Sequence, residues 1–280
     1  KSPSAFSRFR PFPARRGYVS TSFLTFSSYG KISLAQSLSH KQDYYFYCSR
    51  KQMICAMYTL TIKGKTVSIF PSLEANAPII YLNTFSDEGQ KVYEAAQAAD
   101  CLPFTLVAIS NLDWNHDMVP WDSPSAFRNA APCTGGADDY LRLLTGEIIP
   151  AAEKERNGVP RWRGIAGYSL AGLFALYAIH QTDLFSRVGS ISGSLWFPGM
   201  KEYIFSHEPK RWPDHMYFSL GSKESKTKNP ILRTVQENTE EISAYYQSQK
   251  IDTVFQLNPG NHFVQSVERT AAGIAWILSR

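Results

Sequence analysis

The stretch RGIAGYSLAG, residues 163–172, predicts a buried strand that turns sharply into a helix. Its first six residues form an apolar run that is typical of a strand covered on both faces. The residues after Ser169 carry apolar side chains at helical spacing. Gly167, Ala171 and Gly172 leave room for a tight turn and for a helix packed close to a sheet. The stretch therefore predicts an α/β fold.

The chain beyond Met57 alternates short apolar runs with longer amphipathic stretches. This alternation builds a mostly parallel central sheet with helices on both faces. Strands are predicted at residues 58–70 (a hairpin), 78–83, 104–110, 163–168, 187–192, 216–221 and 253–258. Helices are predicted at residues 88–98, 137–155, 170–180, 231–249 and 263–278. Residues 111–136 have no period, and a loop of that length in a compact domain is expected to be functional.

One domain is predicted over residues 53–280, preceded by an irregular extension over residues 1–52. A chain of 280 residues with 44% hydrophobic content can bury one large core. The extension is rich in Ser, Lys, Arg and aromatic residues, poor in acids, and without a sustained period. That composition fits a transit-type leader, and it also fits an extension that adds nothing to the fold, which is the preferred interpretation.

Charge, hydropathy and cysteine usage exclude several classes of function. The formal charge of +5 arises in the extension, so the rest of the chain lacks the clustered basic face that nucleic-acid binding needs. No run of about 18 apolar residues is present, which argues against a membrane-spanning helix. The four cysteines lack metal-ligand spacing, so neither a metal nor another cofactor is expected. Four cysteines are too few for a disulfide framework in a chain of this length, which favours a cytoplasmic location. Composition leaves the oligomeric state open.

Ser169 has the sequence context of a nucleophile. A serine hydroxyl needs a base within hydrogen-bond reach, a group that orients the base, and donors for the oxyanion that develops. The elbow of the α/β-hydrolase fold reads G-x-S-x-G between a strand and a helix, and here Ala171 stands in place of the last glycine. A serine that caps the helix is the alternative interpretation.

His262 and Glu224 are predicted as the base and the acid that orients it. In this fold the order along the chain is nucleophile, acid and histidine, and the histidine follows the last strand. Of the six histidines only His262, in the turn sequence NPGNHF at residues 258–263, fits that order. The acid is expected after the penultimate strand, where Glu224 lies among lysines, with Asp252 and Asp183 as less suitable candidates.

The oxyanion donors are predicted from their position, because backbone groups leave little side-chain signature. One is the N–H of Leu170, the residue after the nucleophile. The other is the N–H of Thr84 or of Phe85, in the loop after the strand at residues 78–83.

Several collinear segments resemble the putative-esterase family of esterase D and the enterochelin (trilactone siderophore) esterases. They span about residues 57–280 and comprise GGADDYL at 135–141 with EIIP at 147–150, the elbow at 163–174, FSRV at 185–188 with SGSLW at 192–196, and GNH at 260–262. Family members commonly carry an Arg-x-x-Asp-x-x-Pro segment, whose nearest match here is HDMVP at 116–120. Two features depart from the family, namely Ala171 in the elbow and LNTF at 82–85, where many relatives have Leu-Asp-Gly.

The resemblance implies hydrolysis of a carboxylic ester through an acyl-enzyme, with Ser169 as nucleophile and His262 as base. It implies a small-molecule ester as the partner and no cofactor. Some siderophore esterases are thought to work with a Ser-His dyad, which leaves open whether Glu224 completes a triad.

A bulky, siderophore-like ester is the preferred substrate. The candidate pocket residues, which either stack on an aromatic acyl group or pack within loops, are Trp114, His116, Asp117, Trp121 and Trp196. The alternatives with the same intermediate are a small-acyl or thioester hydrolase of the S-formylglutathione hydrolase type and an acyltransferase. The alternative from another class is a non-catalytic binding protein on a hydrolase fold, which would lack a member of the triad.

Overall fold

A computed structural model describes residues 57–127, 129–154 and 158–280 in full. Before Met57 it describes the backbone of four two-residue strands, Thr25–Phe26, Ile32–Ser33, Cys48–Ser49 and Gln52–Met53. The predicted irregular extension over residues 1–52 otherwise lies outside the described residues.

The centre of the molecule is an eight-stranded sheet. Its strands in chain order are β1 (Tyr58–Ile62), β2 (Lys65–Phe70), β3 (Ile79–Asn83), β4 (Thr105–Ser110), β5 (Arg163–Tyr168), β6 (Arg187–Ile191), β7 (His215–Gly221) and β8 (Asp252–Asn258). They lie in the order β8-β7-β6-β5-β3-β4-β2-β1. The β1–β2 hairpin and the β2–β4 pair are antiparallel, and the other neighbours are parallel. The predicted α/β-hydrolase fold with its mostly parallel sheet is confirmed.

Helices cover both faces of this sheet. They are α1 (Gly89–Ala98), α2 (Trp114–Asp117), α3 (Ala137–Leu143), α4 (Ile149–Glu153), α5 (Leu170–Gln181), α6 (Met200–Ser206), α7 (Val235–Ser248) and α8 (Ser266–Leu278). The apolar side chains of α1 and α8 belong to one core cluster, and those of α3 to α7 belong to the other. The hydrophobic effect therefore fixes the sheet between two helical layers.

The observed helices differ from the predicted ones in their boundaries and in two additional short helices. The predicted helix at 137–155 is divided by a π-helical turn, Leu144–Ile148. Helix α8 begins at Ser266 rather than at 263, because the residues around His262 form a loop. A 3₁₀ turn, Leu232–Thr234, precedes α7. Helices α2 and α6 were not predicted, because four and seven residues are too short to show a helical period.

The strand order places the loops after β3, β5 and β6 side by side. Strand β5 pairs with β3 on one side and with β6 on the other, while β4 lies beyond β3. The chain therefore leaves β3 and β5 in opposite directions along the sheet. In open α/β sheets such a switch point, at the carboxyl ends of the strands, is where ligands bind.

The turn from β5 into α5 depends on small residues. A Cβ atom on Gly167 would lie 2.4 Å from the backbone carbon of Ala171 and 2.5 Å from its Cβ, closer than real atoms approach. The methyl group of Ala171 is fully buried in this space, so the alanine found in place of the usual glycine fits because Gly167 has no side chain.

Gly167→Ala is expected to lower the free energy of unfolding by about 1–3 kcal/mol, because the added methyl group overlaps backbone that cannot move away. Gly146→Ala is the matched control, since a Cβ there meets no atom within 4 Å and an alanine favours the helical turn. Urea titrations of both variants measure the difference. Equal stability of the two variants would contradict this account of the turn.

Candidate active site

Ser169, His262 and Glu224 meet at the carboxyl edge of the sheet. The Oγ atom of Ser169 lies 3.1 Å from Nε2 of His262, and Nδ1 of His262 lies 2.7 Å from Oε2 of Glu224. The three residues come from the β5–α5 turn, the β8–α8 loop and the loop after β7. An ionised carboxylate only accepts hydrogen bonds, so Nδ1 carries the proton and Nε2 is free to accept the serine proton. The structure thus brings together the nucleophile, base and acid predicted from the sequence.

The backbone of Ser169 is held in a conformation that presents its hydroxyl. Its φ angle is +60°, a left-handed value that non-glycine residues rarely adopt. Its N–H donates to the carbonyl of Ile191, and its carbonyl accepts the N–H of Ser194. The side chain makes no capping hydrogen bond to α5. The alternative of a simple capping serine is therefore not supported.

Glu224 is buried and surrounded by donors. Its side chain is 4% exposed. The Ser192 hydroxyl donates to Oε1 at 2.8 Å, and the N–H of Gly221 donates to the same oxygen at 2.5 Å. Burial by itself would raise the pKa of Glu224, but the hydrogen bond and charge of His262, with the other two donors, outweigh it and lower the pKa below its ordinary value. The acid is therefore held in the ionised form that orients the histidine.

The other acid candidates lie at the opposite edge of the sheet. Asp252 is the first residue of β8 and pairs with His215, the first residue of β7. Asp183 precedes β6 and so is also at the amino edge. Neither can reach His262, which follows the carboxyl end of β8.

The predicted oxyanion donors have different surroundings. Leu170 begins α5, where the first N–H groups have no acceptor within the helix, and it lines the cavity beside Ser169. The N–H of Thr84 donates to the carbonyl of Ile109 at 2.9 Å, so the prediction of Thr84 as an oxyanion donor is wrong. The N–H of Phe85 donates to the carboxylate of Glu88 at 3.2 Å. Of the two residues after β3, Phe85 remains the candidate donor.

A cavity of about 330 Å³ opens beside Ser169. Trp114 and Trp196 line it as predicted, and Phe127, in the predicted functional loop, forms a further aromatic wall. The hydroxyl of Ser194 is 3.3 Å from that of Ser169, so a second hydroxyl lies beside Ser169 in the cavity.

Three predicted pocket residues do not line this cavity. The ring of His116 contacts the carbonyl and hydroxyl of Thr134 through Nδ1. Asp117 forms a buried ion pair with Lys65. The indole N–H of Trp121 donates to the carbonyl of Pro198. These contacts belong to loop packing, and the prediction of a pocket role for His116, Asp117 and Trp121 is corrected accordingly.

The mouth of the cavity carries positive charge. Lys223 and Lys226 line it and are exposed. Within the described residues, the ion pairs of Glu224 are with His262 and Arg269, and neither lysine takes part in one. The sequence could have indicated this charge, because the two lysines lie on either side of Glu224 in the chain.

The described residues, 57–127, 129–154 and 158–280, bear on metal binding and membrane insertion. No group of three or more His, Cys, Asp or Glu side chains there is arranged to hold a metal ion. None of the helices in that part of the chain is long and apolar enough to cross a bilayer. Cys101 and Cys133 are free thiols.

Known proteins match the chain in sequence and in fold. The sequence model of the family described as Putative esterase matches residues 82–265. The uncharacterized protein YbbA of Bacillus subtilis (strain 168) is 29% identical over 172 residues, which cover 59% of this chain and 69% of YbbA. The siderophore hydrolase EstA from Aspergillus nidulans matches with a TM-score of 0.64 and 15% identity, over 86% of this chain and 95% of EstA. An IroE-like serine hydrolase from Shewanella oneidensis matches with a TM-score of 0.62 and 17% identity, over 85% of this chain and 80% of that protein.

The ionised form of Glu224 is expected to stabilise the fold above a pH of about 4.5. Because the pKa of the folded state is below the ordinary value of 4.5, this stabilisation is lost as the pH falls through the folded-state pKa. The free energy of unfolding of the wild type should therefore exceed that of Glu224→Gln by more at about pH 5 than at about pH 3. Urea titrations at the two pH values measure the gap, and a gap that widens towards low pH would contradict the depressed pKa.

Proposed function

The chain belongs to the Putative esterase family and is a carboxylic ester hydrolase, and we propose that it cleaves its ester through an acyl-enzyme on Ser169. The observation that carries the proposal is the pair of hydrogen bonds that joins Ser169 to His262 and His262 to Glu224. A binding protein on the same fold has no need to retain all three groups in bonding distance.

The proposed reaction begins with attack of Ser169 Oγ on the ester carbonyl. His262 Nε2 takes the hydroxyl proton, and Glu224 stabilises the imidazolium that forms. The N–H of Leu170 donates to the oxyanion at the positive end of α5. Collapse of the tetrahedral intermediate releases the alcohol, which takes the proton from His262. Water, activated by the same nitrogen, then hydrolyses the acyl-enzyme.

The proposed substrate is a bulky aromatic ester, with a siderophore-like ester as the preferred class. A cavity of about 330 Å³ lies at the small end of the range for ligand sites, about 300–1,000 Å³. A cavity of this size takes one aromatic acyl group against the rings of Trp114, Phe127 and Trp196, while the rest of a larger substrate stays outside. EstA, described as a siderophore hydrolase, shares this fold and supports the choice.

The charge at the mouth of the cavity favours an anionic substrate. Lys223 and Lys226 are exposed there, and Glu224 between them is turned inward to His262. Two ammonium groups on the rim of a partly enclosed cleft attract a negative group and raise its rate of encounter.

Ser169→Ala is expected to lower kcat by about four to six orders of magnitude without loss of folding. It should also abolish covalent labelling by a fluorophosphonate probe, which reacts with an activated serine. Ser194→Ala is the matched control, because its hydroxyl lies 3.3 Å from that of Ser169 but has no bond to His262, and it should still be labelled. Labelling that persists in Ser169→Ala would refute the assigned nucleophile, and a wild type without labelling or turnover would favour the binding protein.

The lysine rim predicts a preference for anionic esters. Of two aryl esters that differ only in a sulfonate on the acyl ring, the anionic one should have the higher kcat/KM, by about tenfold at low salt and less at high salt. The double variant Lys223→Gln/Lys226→Gln should lose the preference, whereas Lys91→Gln, on α1 and outside the cavity, should keep it. A preference that survives the double variant would assign it to other groups.

A further inference from the structure

Arg269 of α8 is a buried cation that points at the triad. Its side chain is 3% exposed, and one of its terminal nitrogens, Nη2, donates to the carbonyl of Pro259 at 2.7 Å. The other, Nη1, lies 3.4 Å from Oε1 of Glu224. It is equally distant from the hydroxyls of Ser192 and Tyr168. One guanidinium therefore contacts Glu224 itself, Tyr168 directly before Ser169, and Pro259 three residues before His262.

These contacts fix the loop that holds the base. Pro259 lies three residues before His262, so the bond from Arg269 anchors the entry to that loop. The Tyr168 hydroxyl donates to the carbonyl of His262 at 2.5 Å, and Tyr168 directly precedes the nucleophile. The position of His262 is thus set through its backbone from two sides, in addition to the bond between its ring and Glu224.

Stability alone does not explain this arginine. Burying an ion pair costs desolvation that the attraction between the charges often fails to repay, and apolar residues of similar size are frequently as stable. Within the described residues, Nε of Arg269 is buried and has no hydrogen-bond partner, which adds to the cost. The planar guanidinium does have several donors in a fixed geometry, which suits simultaneous contact with Glu224 and the His262 loop.

On the premise of the proposed function, we propose that Arg269 is a positioning residue for the Glu224–His262 pair. It holds Glu224 and the loop of His262 in fixed positions relative to each other, and its positive charge disfavours a second positive charge on the neighbouring imidazole. The ionisable groups that face this cluster are His262 and Tyr168 beside the nucleophile, Tyr217 of β7, and Lys223 before the acid. Glu268, the neighbour of Arg269 on α8, is exposed.

The test compares Arg269→Met, which removes the charge, with Arg269→Lys, which keeps it. In Arg269→Met the acidic limb of kcat/KM against pH should move up by about 0.5–1 pH unit, since loss of a nearby cation favours the imidazolium. The kcat of that variant should fall by about ten- to a hundredfold with KM nearly unchanged. In Arg269→Lys the limb should stay near the wild-type position, while kcat is only partly restored because one ammonium cannot reach all of the acceptors.

Arg187→Met is the matched control for loss of a buried arginine. Arg187 is the first residue of β6, stacks on the ring of Trp162, and donates to the carbonyl of Ile277, all away from the carboxyl edge. Its loss should lower stability and leave the pH limb in place. Turnover of a p-nitrophenyl ester, normalised by active-site titration, gives the pH profiles of the wild type and of the three variants.

A titration of the His262 ring by proton NMR, with the signal assigned from His262→Gln, separates this inference from the proposed function. The pKa of His262 should be higher in Arg269→Met than in the wild type even if no ester is turned over. An unmoved histidine pKa in folded Arg269→Met would overturn the proposal. An equal shift of the histidine pKa in Arg269→Lys and Arg269→Met would overturn the role of the charge. If Arg269→Met does not fold, Arg269→Lys alone decides: an acidic limb of kcat/KM displaced from that of the wild type would overturn the role of the charge.

Discussion

The backbone at Ser169 is the constraint on which the site depends. A non-glycine residue at φ +60° costs about 1–3 kcal/mol and persists only where its surroundings enforce it. Here β5 and α5 on either side are buried, and fully buried side chains such as Leu173 and Phe174 each contribute about 1.5–3 kcal/mol. The packing of these two elements therefore offsets the strain of the turn between them. The result is a hydroxyl that stands clear of the backbone at the switch point of the sheet.

The acid is held by charge and hydrogen bonds from several elements at once. Glu224 accepts from Ser192 after β6, from Gly221 at the end of β7 and from His262 after β8, and it faces Arg269 of α8. A single carboxylate thus joins the loops of three strands. Because Oε1 accepts from Ser192 and Gly221, Oε2 is left to accept from His262, and that bond orients the ring so that Nε2 points at Ser169.

The parts of the site that follow from local sequence and chain order could be predicted. The elbow at Ser169 has its own pattern of small residues, and His262 and Glu224 follow from the order of strands in the fold. The side chains that act through packing could not be predicted. Arg269 lies 45 positions from Glu224 in the chain, and no spacing rule joins a helix to that loop.

Some sequence predictions failed because composition does not reveal contacts. In the sequence Trp121 is an aromatic residue near the predicted site, as are Trp114 and Trp196. In the structure its indole N–H donates to the carbonyl of Pro198, and the ring does not line the cavity. Thr84 was a candidate because it follows β3. Its N–H continues the pairing to Ile109 by one more residue, which only the register of the sheet determines.

In the proposed reaction α5 supplies most of the oxyanion stabilisation, because the N–H groups of the loop after β3 already have acceptors. The carboxylate of Glu88 accepts from the N–H groups of Phe85 and Ser86 and from the Ser86 hydroxyl, so the donors of that loop already bind an anion from the chain itself. An oxyanion would have to displace this carboxylate before it reached the N–H of Phe85. The N–H of Leu170 needs no such exchange, since it is fixed at the positive end of a 12-residue helix. The departure from the Leu-Asp-Gly sequence of many relatives is therefore compatible with the proposed catalysis, because the proposed donor, the N–H of Leu170, belongs to the helix that follows Ser169.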